Sequence, residues 1–192
     1  SYVDTEHRSV FVKIELKERD SDILVWTTTP WTLTANVALA VNPELDYVEV
    51  AMEGEERTVI LSQKAMGVLR APGCKIVSTF KGTDLVGLHC EPIFPEIPIQ
   101  EGVDHLIVPW DAVDAVEGTG VVHIAPGCGR EDFDLGTEHG LAVLSPVNEE
   151  AVFVQGCGWL EGKNVLDSAE PIVERLKKDG KLLRDYMHEH SY

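Results

Sequence analysis

Positive charge is scarce in this chain: 16 Lys and Arg stand against 33 Asp and Glu, a formal net charge of −17. Taken alone, that balance argues against a nucleic-acid binder, whose phosphate contacts need a basic surface. Cysteine is sparse as well. Cys74, Cys90, Cys128 and Cys157 form no C-x-x-C pair and have no His at zinc-finger spacing, so a structural zinc site is not expected. So few cysteines in a chain this large also make a poor disulfide framework, and reduced thiols in a cytosolic protein are expected instead. Long apolar runs are missing too: none reaches the roughly 18 residues a membrane span needs. Ser1-Tyr2-Val3-Asp4 is no basic lead-in to an apolar stretch, so no signal peptide is expected. There is no initiator Met, and the chain stops on His188-Glu189-His190-Ser191-Tyr192. It reads as one domain, residues 1–192, cut from a longer protein.

What is present is an ordinary apolar fraction, 44%, enough for a folded core. Strand patterns dominate. Val10, Val12, Ile14 and Leu16 alternate with Ser9, Lys13 and Glu15, the period of a half-buried strand. Ile23–Thr27, Lys75–Phe80, His105–Val108 and Gly120–Ala125 read as further strands. Tyr47–Met52 and Arg57–Leu61 flank Glu53-Gly54-Glu55-Glu56, the pattern of a hairpin. Helices are fewer: Gln63–Leu69, Glu131–His139 closed by Gly140, and a segment with the apolar stripe Ile172, Val173 and Leu176. For the last, Asp167 and Glu170 have capping-box spacing and Pro171 suits the first turn. The proline-dense stretch Pro92–Pro98 reads as an extended connection. The expected fold class is α+β, mainly β, with a β-barrel-like core, closed or strongly curved, and peripheral helices.

Two segments carry the chemistry. In Trp26-Thr27-Thr28-Thr29-Pro30-Trp31-Thr32-Leu33-Thr34-Ala35-Asn36 a strand runs into three threonines and then a proline turn. A threonine hydroxyl donates and accepts without carrying charge, which suits holding a ribose, a carbonyl or a water. Alternation along a strand would let only some of the three share one pocket, and threonine is also simply a good strand residue. The second segment runs from Gly118 to Phe133. An apolar strand delivers His123; the turn through Gly127 and Gly129 lets backbone approach a ligand closely; then Asp132 stands near a helix start. By themselves, His123 would be an ordinary core histidine and Asp132 a capping carboxylate. The glycine pattern matches neither a P-loop nor a dinucleotide fingerprint.

Together, TTTPWTLTAN and the distant GTGVVHIAPGCGREDF resemble the paired motifs of the isoleucyl-tRNA synthetase editing domain, the CP1 insertion of a class I aminoacyl-tRNA synthetase. Arg8–Leu16, Asn42-Pro43-Glu44, Lys81–Leu88 and His188–Tyr192 extend the resemblance over essentially the whole chain. Valyl and leucyl relatives carry a threonine-arginine-proline version of the first motif, so Thr29 before Pro30, with Trp31 after it, favours the isoleucyl branch. Thr34 departs from the proline common there, a change of turn stiffness only. Cys128 departs from a histidine common in bacterial members. It looks like a nucleophile beside His123, but the family is held to hydrolyse without a covalent enzyme intermediate, so an incidental thiol is the preferred reading.

The resemblance implies a hydrolytic proofreading activity on valyl-tRNA(Ile) and valyl-adenylate. A synthetic site for isoleucine cannot strongly reject an amino acid one methylene smaller, and this very enzyme against valine is the standard illustration of that limit. It further implies that Asp132 binds the substrate α-ammonium and that His123 excludes isoleucine by bulk. Thr27, Thr28 and Thr29 surround the terminal adenosine and acyl carbonyl, with Thr28 and Thr29 joining Asp132 as the catalytic set, and Trp31 and Asn36 shape the pocket wall. No cofactor is implied in this domain; ATP and Mg belong to the parent's synthetic site. The implied partners are the acceptor end of tRNA(Ile), the remaining domains of the parent and no membrane, in the cytoplasm. Two alternatives stay open: a valyl-type editing domain removing threonine, and a tRNA-docking insertion with a dead pocket.

Overall fold

Alternating apolar residues make strands the commonest regular structure in this chain. The computed structural model describes the backbone of residues 4–191 and the side chains of residues 8–187. Among the described residues nine strands follow in order: β1 (Asp4–Glu15), β2 (Ser21–Thr27), β3 (Ala38–Val41), β4 (Asp46–Ala51), β5 (Thr58–Ser62), β6 (Lys75–Lys81), β7 (Leu106–Pro109), β8 (Val121–Ile124) and β9 (Leu182–Ser191). Helix α1 (Arg130–His139) follows β8 and α2 (Ala169–Lys178) precedes β9.

Six strands form one sheet in the order β6-β4-β5-β2-β1-β9. Its centre is buried on both faces, and the period of two assigns each side chain. Val10, Val12, Ile14, Ile23, Val25 and Ile60 point into the principal core, where Ile172, Val173 and Leu176 of α2 cover them. Phe11, Leu24, Val59 and Leu61 point the other way, against Ala65 and Leu69 of the 3₁₀ segment Gln63–Leu69. The expected hairpin is present: β4 pairs antiparallel with β5, and Gly54 in its loop takes a φ of +82°, open to glycine without a steric cost.

The remaining three strands form a second sheet, β7-β3-β8, which carries the site. It packs on α1 through Ala38, Ala40, Ile124 and Leu135. The mainly β class with few helices is what the chain adopts, but among the described residues the strands do not close into a barrel. At the β8 edge single bonds join the sheets instead of a ladder, Ser62 N–H to Thr119 O (2.8 Å), Thr119 Oγ1 to Leu24 O (2.6 Å) and Tyr47 Oη to Gly120 O (2.6 Å), while at the β7 edge residues 87–91 bridge Leu16 and Leu106. Gly118 and Gly120 both have positive φ, so the chain kinks just where a ladder would have to continue. A Cβ on Gly120 would lie 2.3 Å from Ser62 Cβ; the sheets meet there only because the side chain is absent.

Two local expectations are corrected. Helix α2 starts after Ser168, which makes no side-chain cap and turns its hydroxyl to Val165 O (2.6 Å). Asp167 ends a preceding 3₁₀ turn, so the capping box does not form. Pro92–Pro98 is not an extended connection: its turns bury Ile93, Phe94 and Ile97 in the principal core, because apolar residues between the prolines gain more by packing than by running over the surface. Of the stretch 188–192, Tyr192 lies outside the described residues.

Candidate functional site

Strand β2 ends at Thr27, and this ending makes the site. Beyond it the backbone turns, so Thr28 and Thr29 no longer alternate, and all three threonines line one cavity of about 270 Å³. The expectation that alternation would separate them fails because the strand stops one residue into the run. Thr27 Oγ1 accepts the backbone N–H of Thr29 at 3.1 Å and lies 3.2 Å from its hydroxyl, a local turn of the kind threonine favours at strand ends. Pro30 then opens the 3₁₀ turn Pro30–Ala35. Inside it Thr32 and Thr34 each donate to the carbonyl three residues back, Thr29 O (2.9 Å) and Trp31 O (2.8 Å). Thr28 also lines the cavity, and its hydroxyl makes no hydrogen bond to another described residue.

The opposite wall comes from β8 and the turn after it. His123 enters the cavity from β8 and is 8% exposed. Asn36 Nδ2 faces both Ala38 O (2.9 Å) and His123 Nδ1 (2.8 Å). The carbonyl fixes which end of the amide is nitrogen, so Nδ1 must accept and the imidazole proton must sit on Nε2. That N–H donates to Thr32 Oγ1 at 2.9 Å, and the Thr32 hydroxyl passes its own proton on to Thr29 O. Burial holds the imidazole pKa down at about 4, so it is neutral at pH 7. With both ring nitrogens engaged, it has no lone pair to offer as a general base.

Asp132 projects into the same cavity from the first turn of α1 and is half-buried. One carboxylate oxygen accepts the Ala125 N–H at 2.9 Å. Burial raises its pKa above the ordinary value; the Ala125 N–H opposes that shift, and Glu131 adds to it. It makes no ion pair with another described residue. A partly desolvated carboxylate without a cation is poised to take one from a ligand. Cys128 also lines the cavity, but burial, and then Asp132, push its thiol up to about 12. At neutral pH it is a thiol, not a nucleophile.

The site therefore brings together Thr27, Thr28, Thr29, His123 and Asp132. It leaves out Trp31, which packs against the principal core, and it places Asn36 behind His123 instead of on the cavity wall. Trp26 was missed by sequence reasoning. Its indole lines this cavity and an adjoining one of about 280 Å³ walled by Trp110 and Val113, and Val122 and Asp132 also belong to both. Gly127 plays a different part from the one expected: a Cβ there would lie 1.8 Å from Leu144 O, so its bareness admits the neighbouring chain, not a ligand. Among the described residues no cluster of three or more His, Cys, Asp or Glu could hold a metal, and no helix is long and apolar enough to cross a membrane.

No family model matches the chain. Over all of its length it is 39% identical to the isoleucine–tRNA ligase of Methanothermobacter thermautotrophicus, and 39% identical to that of Archaeoglobus fulgidus. It belongs to the isoleucyl-tRNA synthetase family. The chain spans less than a fifth of those ligases, 18% and 19% of their lengths. Its fold is that of synthetase editing domains. The crystal structure of GlLeuRS-CP1 superposes with a TM-score of 0.71 at 15% identity, covering 93% of this chain and 98% of that one. The P. falciparum cytosolic leucyl-tRNA synthetase editing domain gives 0.67 at 10% identity, covering 94% and 98%. At identities of 10–15% the likeness is one of fold, and a chain of the isoleucyl-tRNA synthetase family shares it.

Proposed function

We propose that this chain hydrolyses valine wrongly esterified to tRNA(Ile), and valyl-adenylate, as the second sieve of an isoleucyl-tRNA synthetase. The observation that carries the reading is the facing pair in one cavity: an unpaired, half-buried carboxylate, Asp132, and a neutral, doubly hydrogen-bonded imidazole, His123. Every aminoacyl ester presents an α-ammonium, and Asp132 supplies its counter-charge. The imidazole is rigid and cannot yield to a longer side chain, so it selects by size. The terminal ribose sits at the threonines, and the adjoining cavity between Trp26 and Trp110 takes the adenine, a flat apolar group that indole walls suit.

In this reading a water attacks the acyl carbonyl, the bond from the carbonyl carbon to the ribose oxygen breaks, and the released hydroxyl takes a proton. His123 is not the base. The Thr28 hydroxyl, backbone groups and the vicinal ribose hydroxyl hold and orient the water. No cofactor takes part; ATP and Mg serve the parent's synthetic site. The −17 charge implies that other domains of a cytoplasmic parent enzyme supply the basic surface for the tRNA.

The test is release of valine from valyl-tRNA(Ile) by this chain and by the full-length synthetase at low salt. Release by the full-length enzyme, weaker from the chain alone, supports the reading. Release of threonine from threonyl-tRNA(Val) in preference would favour a valyl-type sieve, and no release by either would leave a docking insertion.

A further inference from the structure

We infer that Gln100 and His105, neither of which lines the cavity, are positioning residues that act through Asn36 to hold the size-selecting imidazole of His123. The inference rests on the reading of His123 as the sieve. Gln100 ends the 3₁₀ turn Pro98–Gln100 and His105 immediately precedes β7; both are buried. The Gln100 Nε2 group donates to Thr34 O (2.8 Å) and Asn36 O (2.9 Å). Two carbonyls facing one amide nitrogen fix its orientation, since the flipped amide would set oxygen against oxygen. Oε1 then lies 2.7 Å from His105 Nε2 and can only accept, so His105 carries its proton on that nitrogen.

The loop is tied at both ends: Val103 N–H reaches Gln100 O (3.2 Å) and Cys90 N–H reaches His105 O (3.0 Å). His105 has a φ of +42°, a left-handed conformation that a histidine keeps only when its surroundings over-determine it. Two bonds of the Gln100 amide thus hold residues 34–36 from outside, and the third ties that amide to His105. Asn36 is gripped on its carbonyl by Gln100 and on its side chain by Ala38 O and His123. The one polar group that residues 34–38 direct at the site is that side-chain amide. Loosening Gln100 therefore frees the imidazole to turn and to exchange tautomer, and a wall that can move no longer measures one methylene.

Gln100→Glu keeps the size and replaces the double donor by a group that faces two carbonyls without hydrogens. His105→Asn tolerates the positive φ and removes the ring's bond to the Gln100 amide oxygen together with its interactions with the Asn36 and Val103 backbone. Long-range ¹H–¹⁵N spectra of this 192-residue chain read the His123 tautomer directly. The wild type is expected to show a single Nε2–H form, and both variants a mixture, larger for Gln100→Glu. In the full-length synthetase the ratio of isoleucyl- to valyl-tRNA hydrolysis is expected to rise about 2- to 30-fold, with valyl hydrolysis falling less than that ratio rises. Variants that melt as folded proteins, keep the wild-type His123 spectrum and keep the discrimination ratio would overturn the inference. Should Gln100→Glu fail to fold, His105→Asn decides. If the wild-type enzyme hydrolyses no valyl-tRNA, the functional reading fails, while the spectra still decide the brace.

Discussion

Asn36 Nδ2 stands 2.8 Å from His123 Nδ1 and 2.9 Å from Ala38 O, so a single amide sets the tautomer, the orientation and the protonation state of the imidazole in the cavity. Burial alone lowers the pKa of His123, and a donor on Nδ1 opposes protonation further, because an imidazolium has no lone pair left to accept it.

Asn36→Asp reverses that relationship. A carboxylate accepts from Nδ1–H and favours the charged ring, so the His123 pKa is expected to rise by about 1–3 units from its value near 4. An NMR titration of the ring protons checks this. An unmoved titration would mean that the amide does not govern the imidazole.

His123→Ala tests the sieve. Removing the ring enlarges the cavity on the side facing Thr32, and the full-length enzyme is expected to gain hydrolysis of isoleucyl-tRNA while keeping part of its valyl hydrolysis. If both activities vanish together, the ring acts in chemistry or folding and not as a spacer.

The same histidine gives stability a pH dependence. Its folded pKa of about 4 lies below the ordinary 6.5, so between those values the unfolded chain binds more protons than the folded one. The contribution is complete above pH 6.5 and is lost as pH falls towards 4, up to about 3 kcal/mol. Asp132 has the opposite sign. Its raised pKa means that its charge costs stability at neutral pH, a cost relieved as pH falls through that pKa. His123→Gln should flatten the melting temperature between pH 6.5 and 4; an unchanged slope would place the dependence on other groups.

Much of this architecture is legible in the sequence because binary patterning is strong where a sheet is buried. The alternation Val10, Val12, Ile14 predicts β1 and its face, and the apolar stripe of α2 predicts what covers it. Ala38–Val41 is invisible in the sequence: a strand buried on every side shows no alternation, and four consecutive apolar residues carry no periodic signal. β9 was missed for the opposite reason, since Arg184, Asp185 and His188 make it polar and only its pairing with β1 makes it a strand. The missing barrel closure depended on two positive-φ glycines, which patterning does not register. At the site, the paired motifs pointed to the threonines, His123 and Asp132. In the sequence Trp26 carries only a strand signal, and Trp31, beside the proline, is the more conspicuous wall candidate. Which of two tryptophans faces a cavity depends on where β2 stops, and that is set by the Thr27–Thr29 turn.

Asp132→Asn in the full-length synthetase, with melting and valyl-tRNA hydrolysis measured together, decides whether Asp132 anchors the substrate ammonium. The asparagine can still accept the Ala125 N–H and removes a partly desolvated charge, so the melting temperature should hold or rise. Asp132→Ala, by contrast, would orphan that N–H and lose about 1–3 kcal/mol. Loss of the ion pair with the ammonium should cost about 2–5 kcal/mol, slowing hydrolysis roughly 30-fold to several thousandfold. A stable Asp132→Asn enzyme that accumulates valyl-tRNA is the predicted result. One that hydrolyses valyl-tRNA at the wild-type rate would contradict the account and leave Asp132 as a residue that only secures the turn at Ala125.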